Sequence, residues 1–137
     1  MAITKLEVTE EIERLHAFIS SWFRGEQGND EATFSAGFSS VLSGAFVNIQ
    51  PSGQILTKAD LLEPIEEAFG RNPEFFITVS DVEVRNIFAE NYCLATYLEF
   101  QEGAKNTKPS NNYRRSTVFF EKRDEALIWH HIHETAV

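Results

Sequence analysis

The chain has one cysteine, one methionine, four prolines and only twelve basic residues in its 137. With Cys93 alone, neither an intrachain disulfide nor a multi-cysteine zinc site can form, and an uncrosslinked domain of this size suits a reducing cytosol. Twenty-one acidic residues outnumber the basic ones and leave a net charge of −9, which repels polyphosphate and argues against general nucleic-acid binding. No stretch approaches the roughly 20 consecutive apolar residues that span a bilayer. The start, Met1-Ala2-Ile3-Thr4-Lys5-Leu6-Glu7, also lacks a basic region followed by an apolar run. The expectation is a cytoplasmic protein with no membrane partner and no secretory leader. Its length fits a single domain over residues 1–137.

What is present is enough apolar material for a core: 42% hydrophobic residues, with twelve Phe. Val8, Ile12, Leu15, Ile19 and Trp22 recur at spacings of three and four and predict an amphipathic helix that opens near Thr9 and stops at Gly25. His16 lies at the edge of that apolar stripe. Asn29 or Asp30 caps a second helix with Phe34, Phe38, Val41 and Leu42 inward, although Gly37 inside it is unfavourable. Ala45 to Gln50 reads as a short strand ended by the turn Pro51-Ser52-Gly53. Thr57 or Lys58 opens a third helix that carries Pro64 and ends at Gly70. Beyond Pro73, four runs rich in β-branched and aromatic residues, Phe75 to Phe88, Tyr92 to Glu102, Tyr113 to Lys122 and Ala126 to Glu134, predict an antiparallel meander. Helices first and strands afterwards make an α+β domain.

The last strand holds three of the four histidines. Strict alternation groups Trp129, His131, His133 and Thr135 on one face and Ile128, His130, Ile132 and Glu134 on the other. His131 and His133 point the same way, but a metal needs a third ligand and only Glu99 is a candidate, so no metal or other cofactor is expected. Tyr97 and Glu99 share a face of the second long strand, where a phenol and a carboxylate can bind or polarise a small carbonyl compound. Half of the basic residues fall between Lys105 and Arg123. One of the adjacent pair Arg114 and Arg115 is a candidate to fork onto an anion, and Arg115 is taken as the ligand-binding one.

Three stretches taken together, Phe46 to Gly53, Ser116 to Asp124 and Trp129 to Thr135, resemble the nuclear-transport-factor-two-like superfamily over nearly the whole chain. The closing Lys-Arg-Asp and Trp-x-x-Ile-His pattern is most similar to the SnoaL-like proteins and the association domain of calcium/calmodulin-dependent protein kinase II. The resemblance implies a cystatin-like cone: N-terminal helices on a strongly curved antiparallel sheet, around a central cavity, often in a homodimer made through the sheet. It also places a pocket histidine at His133. Where the steroid isomerases of the superfamily carry a catalytic Asp before the proline, this chain has Gln50, which cannot take a proton near neutral pH. Gln50, with Asn48 on the same face, is left as a hydrogen-bonding candidate. The expected function is binding of a small organic ligand, an anion among the candidates, by Tyr97, Arg115, His131, His133 and Gln50. The alternatives are a metal-independent lyase, isomerase or cyclase using His133 or Glu99 as acid/base, and an oligomerisation module.

Overall fold

The computed structural model describes residues 2–137. Its elements run α1 (Lys5–Arg24), α2 (Glu31–Gly37), a 3-10 turn at Ser39–Val41, β1 (Leu42–Ile49), β2 (Ile55–Thr57), α3 (Lys58–Glu67), β3 (Phe76–Phe88), β4 (Tyr92–Glu102), β5 (Asn112–Arg123) and β6 (Ala126–Ala136). No helix is long and apolar enough to cross a membrane among the described residues.

Cap chemistry sets the helix ends. Thr4, not Thr9, caps α1: its hydroxyl accepts from the Glu7 N–H while the Glu7 carboxylate accepts from the Thr4 N–H, satisfying two orphan donors at once. Thr9 lies one turn inside, its hydroxyl donating to the Lys5 carbonyl. Gly25, at φ 78°, closes the helix by donating to the Ser21 and Trp22 carbonyls, a conformation glycine adopts without a Cβ penalty. Asp30 caps α2. Thr57 and Asp60 form a second capping box for α3, which ends at Ala68 rather than at Gly70. Gly37 is a packing requirement, because a Cβ there would overlap the Phe18 ring.

The strands form one sheet in the order β2-β1-β6-β5-β4-β3. β1 runs parallel to β6, and all other neighbours are antiparallel. Register shifts in β3 and in β6 add local twist and bend, as bulges do, and the sheet curves around α1. Val8, Ile12, Leu15, Phe18 and Trp22 of α1 pack in one core with Ala95, Tyr97, Val118, Phe120 and Trp129 of the sheet. The far end of α1 is tied to α3 and to the segment that follows it. Trp22 donates its indole N–H to the Ile65 carbonyl at 2.8 Å, and the Trp22 and Phe23 carbonyls accept from the Gly70 and Asn72 N–H groups.

The shift in β6 corrects the face assignment made from strict alternation. Phe120 pairs with Trp129, but Phe119 pairs with His131, so His130 is an extra residue opposite the regular β5. Beyond it Ile132 and Glu134 turn inward and are buried, while His131 and His133 face outward and His133 is exposed. A bulge of one residue reverses the facing of everything after it relative to simple alternation.

Candidate functional site

Between α1, α3 and the concave face of the sheet lies a cavity of about 1240 Å³. Its helical wall is apolar apart from His16, with Leu15, Ile19, Phe23, Leu61 and Ile65, whereas its sheet wall carries Asn48, Tyr97, Glu99, Gln101, Arg114 and Glu134. The register explains the convergence. Glu99 pairs with Arg114, and Tyr97 with Ser116, which pairs in turn with Glu134, and residues paired across antiparallel strands project from the same face.

Two buried charge clusters result. In the first, His16 Nδ1 lies 2.8 Å from the Ile12 carbonyl, which can only accept, so Nδ1 carries a proton. His16 Nε2 is 3.2 Å from the Glu99 carboxylate and 3.2 Å from the Tyr97 hydroxyl. Gln101 donates to the other Glu99 oxygen at 2.6 Å. Burial opposes the His16 charge, but the adjacent Glu99 carboxylate outweighs it and raises His16 above the ordinary histidine value. Burial likewise opposes ionisation of Glu99, yet His16 and the Gln101 amide hold it below the ordinary carboxylate value. The pair is ionic. Tyr97 stays a neutral phenol, pushed far up by burial and by the Glu99 and Glu134 charges.

In the second cluster Glu134 accepts from the Asn48 amide at 3.2 Å and from Arg114 at 3.2 Å. Burial and the Glu99 charge raise Glu134, with Arg114 and Asn48 pulling the other way. Arg114 Nε also donates to the Asn112 side chain. Because carboxylates only accept, the Asn48 and Gln101 amides must turn their N–H groups toward them, leaving both amide oxygens without a protein partner. Arg71, Lys105 and Lys108 surround the cavity's outer margin and are exposed, giving a cationic rim on a protein of net charge −9.

Of the ligand-binding candidates, Tyr97 and Gln50 line the cavity, Gln50 at the turn beyond β1. Glu99 lines it too. Arg115 does not: it sits beside Leu98 on the outer face and pairs with Asp81 at 2.7 Å. His131 and His133 are also outside, for the reason given by the β6 bulge, so His133 and Glu99 lie on opposite sides of the sheet and cannot act at one point. The structure adds His16, Gln101, Arg114 and Glu134 to the cavity wall. His16 is signalled by its position four residues after Ile12, at the edge of the apolar stripe; Gln101 is the next inward position after Tyr97 and Glu99. No group of three or more His, Cys, Asp or Glu arranged to hold a metal occurs among the described residues. Cys93 is buried, and burial pushes its thiol up to about 11.

Helices packed over a curved sheet around an open cone define the NTF2-like (nuclear-transport-factor-two-like) fold, also described as cystatin-like. An NTF2-like protein of unknown function from Pseudomonas aeruginosa is 23% identical, with 96% of this chain and 98% of that one covered at a TM-score of 0.81. An NTF2-like protein from Cytophaga hutchinsonii is 17% identical, covering 98% and 99% at 0.76. The CaMKII hub homology domain from Chlamydomonas reinhardtii is 15% identical, covering 97% of each chain at 0.70. No protein-family model matches the chain, and no curated protein matches it in sequence.

Proposed function

We propose that this chain is a small-ligand-binding domain that holds an organic molecule in its cone, in a reducing cytoplasm. The observation that carries this is the unspent polar capacity of the sheet wall. The amide oxygens of Asn48 and Gln101 have no protein partner, and among the described residues only Arg24 Nε, Ser43 Oγ and Ser116 Oγ are sealed from solvent without one. The free groups in the cone therefore remain reachable, opposite an apolar helical wall, which is the combination small-molecule sites use. Histidine-dependent acid/base chemistry through His133 has no support from this geometry, and Glu99 is engaged by His16 and Gln101. The test is a fragment screen by amide and side-chain NMR. Shifts should concentrate on the Asn48 and Gln101 side-chain amides; shifts confined to the outer face of the sheet would refute the proposal.

Self-assembly through the sheet is the second reading, and the outer face supports it. Tyr92 stacks on Phe119 with ring centroids 5.6 Å apart, Phe88 adjoins Phe119, and Phe100 adjoins Tyr113 at 4.5 Å. Phe88 and Tyr113 are 43% and 47% exposed, so these two aromatic clusters, at opposite ends of β4 and β5, are available to a second copy. Two of the similar structures are a CaMKII hub homology domain and a CaMKII-type association domain. A homodimer leaves the cone free, so the two readings are compatible. Light scattering distinguishes a dimer, a larger ring and a monomer, and a monomer at high concentration would remove the assembly reading.

A further inference from the structure

Arg114 is incompletely used. Its Nε–H goes to Asn112 and one Nη1 proton goes to Glu134, but the edge formed by Nη1 and Nη2 has no second protein acceptor. That edge is the fork that matches a carboxylate in two parallel hydrogen bonds. The side chain is 13% exposed and lines the cone, so a molecule inside the cavity can reach it. Outside, the rim cations Arg71, Lys105 and Lys108 form a local positive field on an acidic protein, the arrangement that steers anions inward.

We infer that the ligand of the cone is an organic anion whose carboxylate docks on the open edge of Arg114 and displaces Glu134 as its counter-ion. This rests on the reading that the cone holds a ligand at all. The apolar wall of Leu15, Ile19, Leu61 and Ile65 then takes an aliphatic or aromatic body, and the free amide oxygens of Asn48 and Gln101 accept from any donor along its polar edge.

A proton-linked consequence follows from what surrounds Glu134. It faces Arg114 on β5, Glu99 and Tyr97 on β4, Asn48 on β1 and His16 on α1. A ligand carboxylate on Arg114 adds a negative charge to a site that already contains Glu99 and weakens the one cation beside Glu134. Glu134 then protonates from solvent as the anion enters. Binding tightens as pH falls through the Glu134 titration, and the observed heat depends on the ionisation enthalpy of the buffer.

The experiment is isothermal titration calorimetry of the full chain with a panel of aliphatic and aryl carboxylic acids of increasing length and their matching primary amides. The acids should bind more tightly than the amides by about tenfold or more, with proton uptake. Glu134→Gln, an isosteric change, should keep or tighten acid binding and abolish the buffer dependence. Arg114→Lys, which retains charge but loses the fork, should weaken the acids by about tenfold and leave the amides unchanged. Amides that bind as well as acids, or acids indifferent to Arg114→Lys in a variant that remains folded, overturn the inference while leaving the cone reading intact. Failure of acids and amides alike overturns the cone reading with it.

Discussion

His16 Nε2 and the Glu99 carboxylate meet 3.2 Å apart with side chains only 7% and 4% exposed. This is an ion pair between the central helix and the sheet, placed within the wall of the cone. Buried pairs cost desolvation, and their removal one partner at a time leaves an uncompensated charge.

That pair sets a pH window for stability. His16 titrates above its ordinary value of 6.5, so its contribution is full below 6.5 and is lost as pH rises through the folded value. Glu99 titrates below its ordinary value of 4.5, so its contribution is full above 4.5 and is lost as pH falls through the folded value. The difference in unfolding free energy between wild type and Glu99→Gln should therefore be greatest between those two ordinary values and shrink on both sides. Urea denaturation across the pH range measures it; a difference that is flat with pH would contradict the ionic pairing.

Replacing Glu99 by Ala should cost about 3–5 kcal/mol in the window between pH 4.5 and 6.5, where His16 must either stay charged without its partner or give up its proton on folding, and less at higher pH, where the buried ring is neutral without Glu99. Chemical denaturation gives the figure. The double change with His16→Leu should recover part of it, since an apolar pair removes the unpaired charge as well.

Gly37→Ala is expected to destabilise the fold by about 1–3 kcal/mol, although alanine is the better helix former. The new methyl enters the space of the Phe18 ring. A thermal melt with the companion Phe18→Leu should show the penalty relieved in the double variant; equal penalties with and without the Phe18 ring would locate its cause elsewhere.

The proposed assembly through the outer face predicts that Phe88→Glu combined with Tyr113→Glu abolishes self-association without unfolding the protein. Both rings are exposed on the outer face, so their loss removes little from the core. Sedimentation and circular dichroism report the two effects separately, and self-association that survives both changes would contradict the proposed contact.

Thr4→Ala should cost about 0.5–2 kcal/mol by removing the reciprocal cap on α1. Amide hydrogen exchange would show the loss as faster opening confined to the first turn of that helix.

Most element types and their order were legible where periodicity and turn chemistry agreed; the exception is the second helix, expected to carry Val41 and Leu42 inward, which ends at Gly37 while Leu42 opens β1. The stripe from Val8 to Trp22, the Pro51-Ser52-Gly53 turn and the four long β runs all formed as expected. β2 was too short, at three residues, to register as a strand, and the start of α1 was set by Thr4 and Glu7, whose pairing lies outside the apolar stripe. The site was legible only in part. Tyr97 and Gln50 reach the cavity because β4 and the end of β1 keep a regular alternation. Two adjacent arginines carry no facing signal by themselves; only the pairing of Glu99 with Arg114 decides that Arg114, and not Arg115, faces the cavity. His131 and His133 were misplaced because the extra residue at His130 leaves no mark in composition or periodicity.

His130 is held on the outer surface by Glu121 at 2.8 Å, and Glu121 is itself drawn down to about 2, chiefly by Arg123 and then by His130. The extra residue acts on side-chain facing much as a frameshift acts on a reading frame. Trp129 before it and Ile132 after it both point inward with two outward residues between them, so excising His130 alone restores ordinary alternation along β6 without turning any neighbour over. In a regularly alternating stretch such as Cys93 to Gln101 of β4, a one-residue deletion would swap the cavity wall for the outer surface. At this position the chain can lose one letter and still spell the same cavity wall.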